Sequence, residues 1–168
     1  MTEAASRMRT VSWEDPLRGA AAGRELSGLE YLDALRAGRL PAPPIALLLG
    51  FELVEVKPGH AVFSVQPGEH HYNPIGVVHG GLLATVLDSA MGCAVHSTLP
   101  RGSGYTTLEL NTHFVRAVTR ETGRLRCEAE IVHGGGRVAT AQGRVHDEGG
   151  RLYAHATTTC LILSERSR

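Results

Sequence analysis

Aromatic residues are scarce in this chain, 5% of 168 positions with a single Trp, and no apolar run approaches the ~18 residues of a membrane-crossing helix. No membrane partner is expected. Excess charge is missing too: Lys+Arg and Asp+Glu stand at 17 each, so no net field draws the molecule to nucleic acid. Cysteine is limited to Cys93, Cys127 and Cys160, odd in number and far apart. That spacing excludes a disulfide framework and a Cys-based zinc pattern, and it fits a reducing cytosol. No basic segment followed by an apolar stretch opens the chain, and a cytoplasmic location is expected. There is no Walker loop, and the glycines at 134–136 lack the remaining spacing of a dinucleotide fingerprint. Among nine histidines, His70 and His71 are adjacent but no pair has H-x-x-x-H spacing, so no metal is expected.

Glycine is what the chain has in quantity, 20 residues, and it implies many turns. The length suits one domain with a core able to fold without staples. Residues 1–24 show no lasting period and are expected to be largely mobile, with Trp13 pinned to the body. Ser27 resembles an N-cap for a short helix carrying Leu29, Leu32 and Leu35, and a proline-rich linker follows at 41–45. The domain division is thus an extension over 1–43 and a main domain over 44–165.

Within the main domain, 51–56 and 61–66 read as a hairpin around Lys57-Pro58-Gly59. Four more strands follow the central helix, at 105–115, 124–133, 137–146 and 152–163, and the turns between them predict an antiparallel meander. One long helix with six strands predicts an α+β sheet wrapped round that helix. One helix does not cover so large a sheet, which points to self-association, most simply a two-fold dimer.

The stretch 70–97 organises the rest. Leu83, Val86, Leu87, Ala90, Met91 and Ala94 fall at helical spacing, and Asp88 lies off that stripe, among Gly81, Ala84, Gly92 and Val95. Gly80 and Gly81 stand at the helix start, where the first amides lack internal partners and favour a developing negative charge. A polarised carbonyl at the helix start and a carboxylate two turns on make a workable layout for water-mediated acyl hydrolysis. Ser89, beside Asp88, lacks the G-x-S-x-G setting of an elbow nucleophile.

Asn73-Pro74-Ile75-Gly76-Val77-Val78-His79-Gly80-Gly81, with Asp88 seven residues further on, resembles the PaaI-like branch of the hotdog-fold thioesterases. The resemblance runs from about Pro44 to Leu163. It implies a hotdog fold with an N-terminal helical extension, no cofactor (coenzyme A being part of the substrate), and sites formed across a homodimer or a dimer of dimers. It also implies hydrolysis of an acyl-coenzyme A, with an aryl, arylacetyl or medium-chain acyl group, to free acid and coenzyme A. Asp88 would be general base or nucleophile. The Gly80 N–H would polarise the carbonyl, with Gly81 keeping the loop tight beside it and contributing to substrate binding. Asn73 would orient the water or thioester, and His79 would brace the loop or meet the thioester sulfur. Thr107 matches the position whose hydroxyl holds the water. Thr106 is a near alternative, because alternation puts Thr106 with Leu108 and Leu110 and Thr107 with Glu109 and Asn111. Arg137, with Arg101 and Arg116, is a candidate grip for the coenzyme A phosphates. Two rival readings are a non-catalytic acyl-thioester binder and a hotdog enoyl-thioester hydratase or dehydratase.

Overall fold

The computed structural model describes residues 6–164; residues 1–5, and residue 165 at the end of the expected main domain, lie outside the described residues. Helices α1 (Pro16–Arg24), α2 (Gly28–Arg36) and α3 (Pro44–Leu49) precede the hairpin β1 (Phe51–Lys57) and β2 (His60–Val65). The central helix α4 (Gly80–His96) is followed by β3 (Ser103–Phe114), β4 (Leu125–Gly134), β5 (Val138–Asp147) and β6 (Leu152–Ser164).

Local chemistry accounts for the N-terminal helices. Ser27 and Glu30 close a capping box on α2, with Glu30 Oε2 accepting from the Ser27 N–H at 2.9 Å. Pro44 opens α3, and Gly50 ends it in the left-handed conformation at φ 68°. The expectation for residues 1–24 is corrected in part: Asp15 caps α1, and Arg9 donates to the carbonyls of Leu47 and Leu48 at the end of α3. Trp13, expected to be pinned, is 53% exposed.

All six strands form one sheet in the order β1-β2-β4-β5-β6-β3. Only β4, β5 and β6 make the expected meander. β3 pairs antiparallel with β6 at the far edge, and the break at Glu121-Thr122-Gly123 belongs to a crossover rather than a hairpin. Turn residues mark where the chain bends and carry no information about which strand receives it.

The sheet curls round α4. Leu83, Val86, Leu87, Ala90, Met91 and Ala94 are all buried against it, as their spacing predicts. Val86, Leu87 and Met91 are 0% exposed, and burial of each stabilises the fold by about 1.5–3 kcal/mol. Gly143 of β5 permits the close approach, since a Cβ there would stand 3.1 Å from both Leu87 and Met91. No helix among the described residues is long and apolar enough to cross a membrane.

Candidate active site

The loop before α4 is tied on both sides. The Val78 N–H donates to the Val118 carbonyl at 2.9 Å and the His79 N–H to the His71 carbonyl at 2.8 Å. Asn73 Oδ1 accepts from the N–H groups of Ile75 and Val77 at 3.1 and 3.3 Å, an Asx-type turn that Gly76 completes at φ 82°. His79 is the N-cap, and its Nδ1 accepts from the Gly81 N–H at 2.8 Å. That bond fixes the tautomer with the proton on Nε2 and engages Gly81, whose N–H is not available to a substrate in this arrangement. The Gly80 N–H has no acceptor among the described residues and carries the positive end of the helix dipole. A Cβ on Gly80 would stand 3.0 Å from the ring of Phe114, so that ring and the glycine share one space.

Beneath the loop lies His71, for which the sequence predicts no role. Its Nε2–H donates to the Leu49 carbonyl at 2.9 Å and its Nδ1 accepts from the Gly68 N–H at 3.1 Å. Burial, and then neighbouring His70, hold its pKa below the ordinary histidine value. The neutral ring therefore acts as a strut between α3 and the loop. Nothing in the run Glu69-His70-His71 distinguishes this role in the sequence.

Along α4, Ala84, Thr85, Asp88, Ser89 and Cys93 form a half-buried stripe, whereas Gly92 and Val95, expected to flank Asp88, are buried. Asp88 Oδ1 accepts from the Thr107 hydroxyl at 2.9 Å. Thr106 faces out and is exposed. The Ser89 hydroxyl donates to the Thr85 carbonyl at 2.8 Å, which removes it as a nucleophile in this arrangement. Burial, and then the Asp88 carboxylate, push the Cys93 thiol up to about 12, so it is not a thiolate near neutral pH.

A β-bulge decides which threonine meets Asp88. The β3–β6 register slips between Thr107 and Glu109, and the Thr158 hydroxyl pins the slip by donating to the Glu109 carbonyl at 2.7 Å. Leu108 is thrown outward at 60% exposure, and Leu110 returns to the side of Thr107, packed against the core. The expected pairing of Leu110 with Thr106 is overturned, since period-two alternation fails wherever one strand gains a residue.

Other sequence candidates stand apart from this site. Arg137 is exposed in the β4–β5 turn. Arg101 pairs with Glu25, and Arg116 donates to the Leu152 carbonyl at 2.6 Å. Among the described residues no group of three His, Cys, Asp or Glu side chains is placed to hold a metal. Among the described residues no hydrogen bond joins Asn73, His79 or Gly80 to Asp88. Gly80 and Asp88 are eight residues apart on one helix, about 12 Å along its axis.

An antiparallel sheet curled round one helix, with a carboxylate on the flank of that helix and a free amide at its start, defines a hotdog-fold protein. The Thioesterase superfamily model matches residues 75–154. A solved phenylacetic acid degradation-related protein of Ralstonia eutropha is 32% identical, with 78% of this chain and 98% of that one covered at a TM-score of 0.71. A 1,4-dihydroxy-2-naphthoyl-CoA hydrolase of Listeria monocytogenes is 23% identical over 118 residues, which cover 70% of this chain and 94% of that protein. A protein named as an esterase in Halobacterium salinarum is 37% identical over 78 residues, and the chain spans about half its length, 46%. The chain belongs to the thioesterase superfamily, a family of thioester hydrolases, and within it is PaaI-like.

Proposed function

We propose that this protein hydrolyses acyl-coenzyme A thioesters with aryl, arylacetyl or medium-chain acyl groups, releasing the free acid and coenzyme A. The observation that carries this reading is the 2.9 Å bond from the Thr107 hydroxyl to Asp88, which holds a carboxylate on the open stripe of α4. Asp88 acts as general base on a water, or as nucleophile, and Thr107 aims it. The unpaired Gly80 N–H stabilises the charge that develops on the thioester oxygen. His79 caps the loop and keeps Gly81 in place, while Asn73 shapes the turn that presents Gly80 and leaves its amide NH2 to face the thioester or water.

A thioester held at Gly80 lies too far from Asp88 of the same helix for attack, given the ~12 Å that separates them. The site therefore combines Gly80 of one subunit with Asp88 of its partner. The 12-residue edge strand β3 supports this assembly. One side of it is unpaired among the described residues, Leu108 and Phe114 are exposed along it and Val115 just past its end, so a second copy pairing there would cover it. Arg137, exposed and without an ion-pair partner among the described residues, remains the candidate for a coenzyme A phosphate.

The test is thiol release from a panel of acyl-coenzyme A thioesters by wild type and Asp88→Asn. Release that collapses in a folded mutant fits the assignment. Release that continues unchanged removes Asp88 from the chemistry, and consumption of an enoyl thioester without thiol release would make the protein a hydratase.

A further inference from the structure

The half-buried stripe of α4 is open at one end and closed at the other. It begins at exposed Gly81 and runs past Asp88 toward His96. One turn beyond Asp88, about 6 Å along the axis, the helix surface drops to Gly92, and the phenol of Tyr105 fills the space. A Cβ on Gly92 would overlap the Tyr105 hydroxyl. Tyr105 lies on the same face of β3 as Thr107, two residues from the partner of Asp88. Its ring meets that of His96 at 5.6 Å between centroids, and His96 meets Tyr31 of α2 at the same distance.

Behind this aromatic wall lies a second space, a cleft of about 640 Å³ that is partly open to solvent. Ala20, Gly23 and Arg24 of α1 line it on one side, and His96, Gly104 and Leu163 on the other. His96 lines this space and its ring packs at a tilt of 49° against Tyr105, so the two rings together stand between it and the stripe. The coenzyme A portion of a substrate is bulky and carries phosphates, so it stays in solvent outside the stripe. The apolar acyl group takes the closed end, where Cys93 and Tyr105 supply less polar walls.

Resting on the thioester-hydrolase reading, we propose that Tyr105 sets the length of the acyl group: its phenol ends the acyl pocket one helical turn past Asp88. Aryl and short acyl groups fit before it, and longer chains would have to pass into the cleft beyond. The N-terminal extension then has a part in specificity, since α1 lines one side of the cleft that Tyr105 and His96 separate from the stripe. Burial and the nearby Cys93 thiol and Asp88 carboxylate keep the phenol protonated, so it can also donate a hydrogen bond to a substituent at the far end of an aryl group.

The experiment measures kcat/KM over a series from acetyl- through dodecanoyl-coenzyme A, with phenylacetyl-coenzyme A alongside, for wild type, Tyr105→Ala and Tyr105→Phe. Calorimetry with non-hydrolysable thioether analogues of the same lengths reads the cutoff without turnover. Tyr105→Ala is expected to raise the long-to-short ratio of kcat/KM by about tenfold or more, in line with what a few methylenes are worth in a pocket. Tyr105→Phe keeps the ring and the wild-type length profile. An unchanged ratio in folded Tyr105→Ala, or a wild type that prefers dodecanoyl to phenylacetyl groups, overturns the assignment. Tyr105→Leu serves the same purpose if the alanine variant does not fold. A wild type that cleaves nothing, while Tyr105→Ala gains binding of long analogues, would defeat the hydrolase reading and support the pocket assignment.

Discussion

At its N-terminal end α4 begins on Gly80, whose N–H has no acceptor among the described residues, and Gly81 next to it is exposed. At its C-terminal end the carbonyls of Cys93, Ala94, Val95 and His96 all accept hydrogen bonds. The buried Ser97 hydroxyl donates to the Ala94 carbonyl at 2.7 Å and accepts from the Gly59 N–H at 2.8 Å. The Gly28 N–H donates to the Leu99 carbonyl at 3.0 Å, sealing α2 onto the helix end. A glycine serves each end for a different reason. A Cβ on Gly28 would overlap the His96 carbonyl oxygen, part of a rigid backbone, whereas a Cβ on Gly80 would meet the rim of Phe114, whose ring is 53% exposed and can move. One glycine is needed for packing and the other for access, and neither its type nor its neighbours in sequence tell the two apart.

The largest expected effect lies between the two ends. Asp88→Asn should lower kcat by about 10²–10⁴, measured by thiol release, while thermal unfolding shows the fold intact. Paired glycine variants break the comparison directly. Gly80→Ala should lower kcat/KM by about 10²-fold through misplacement of the carbonyl, with little change in Tm. Gly28→Ala should instead lower stability by about 1–3 kcal/mol through overpacking, read as a fall in Tm. Equal behaviour of the two would remove the distinction between an access end and a sealed end. Thr107→Val should reduce kcat by about tenfold, the worth of a hydrogen bond to a charged group, and the same change at exposed Thr106 should do far less.

The smallest effect is a pH dependence shared by the two ends. Each holds a neutral histidine: His71 under the loop and His96 between Tyr31 and Tyr105. Burial lowers both pKa values in the folded state, with His70 adding to the shift at His71. The unfolded chain then binds more protons below its own histidine value of about 6.5, so stability is complete above that pH and declines as pH falls toward the folded values. Tm should drop between about pH 7.5 and 5.5, and His71→Gln should flatten that slope.

Much of this was legible in the residues. The apolar spacing from Leu83 to Ala94 marked the buried face of α4, and Ser27 with Glu30 marked the start of α2, because both signals are local and repeat with the helical period. The strands were legible individually, while their order was not: β3 crosses to the far side of β6, and pairing between distant segments leaves no mark in either. Thr107 could not be separated from Thr106, because the bulge at Leu108 is held by Thr158, fifty residues away on another strand. Nothing in the sequence singled out His71, Phe114 or Tyr105, whose roles depend on what the fold sets beside them.

By itself, then, the sequence determined the helix that carries Asp88, the glycine pair at its start and the strands one by one, since spacing along one chain specifies which side chains share a face. Tertiary structure decided which hydroxyl touches the carboxylate, which amide stays free and where the stripe beside Asp88 ends. Those outcomes rest on contacts of a few ångströms between segments far apart in sequence, and a one-residue slip or a single ring placed against a glycine is enough to change them.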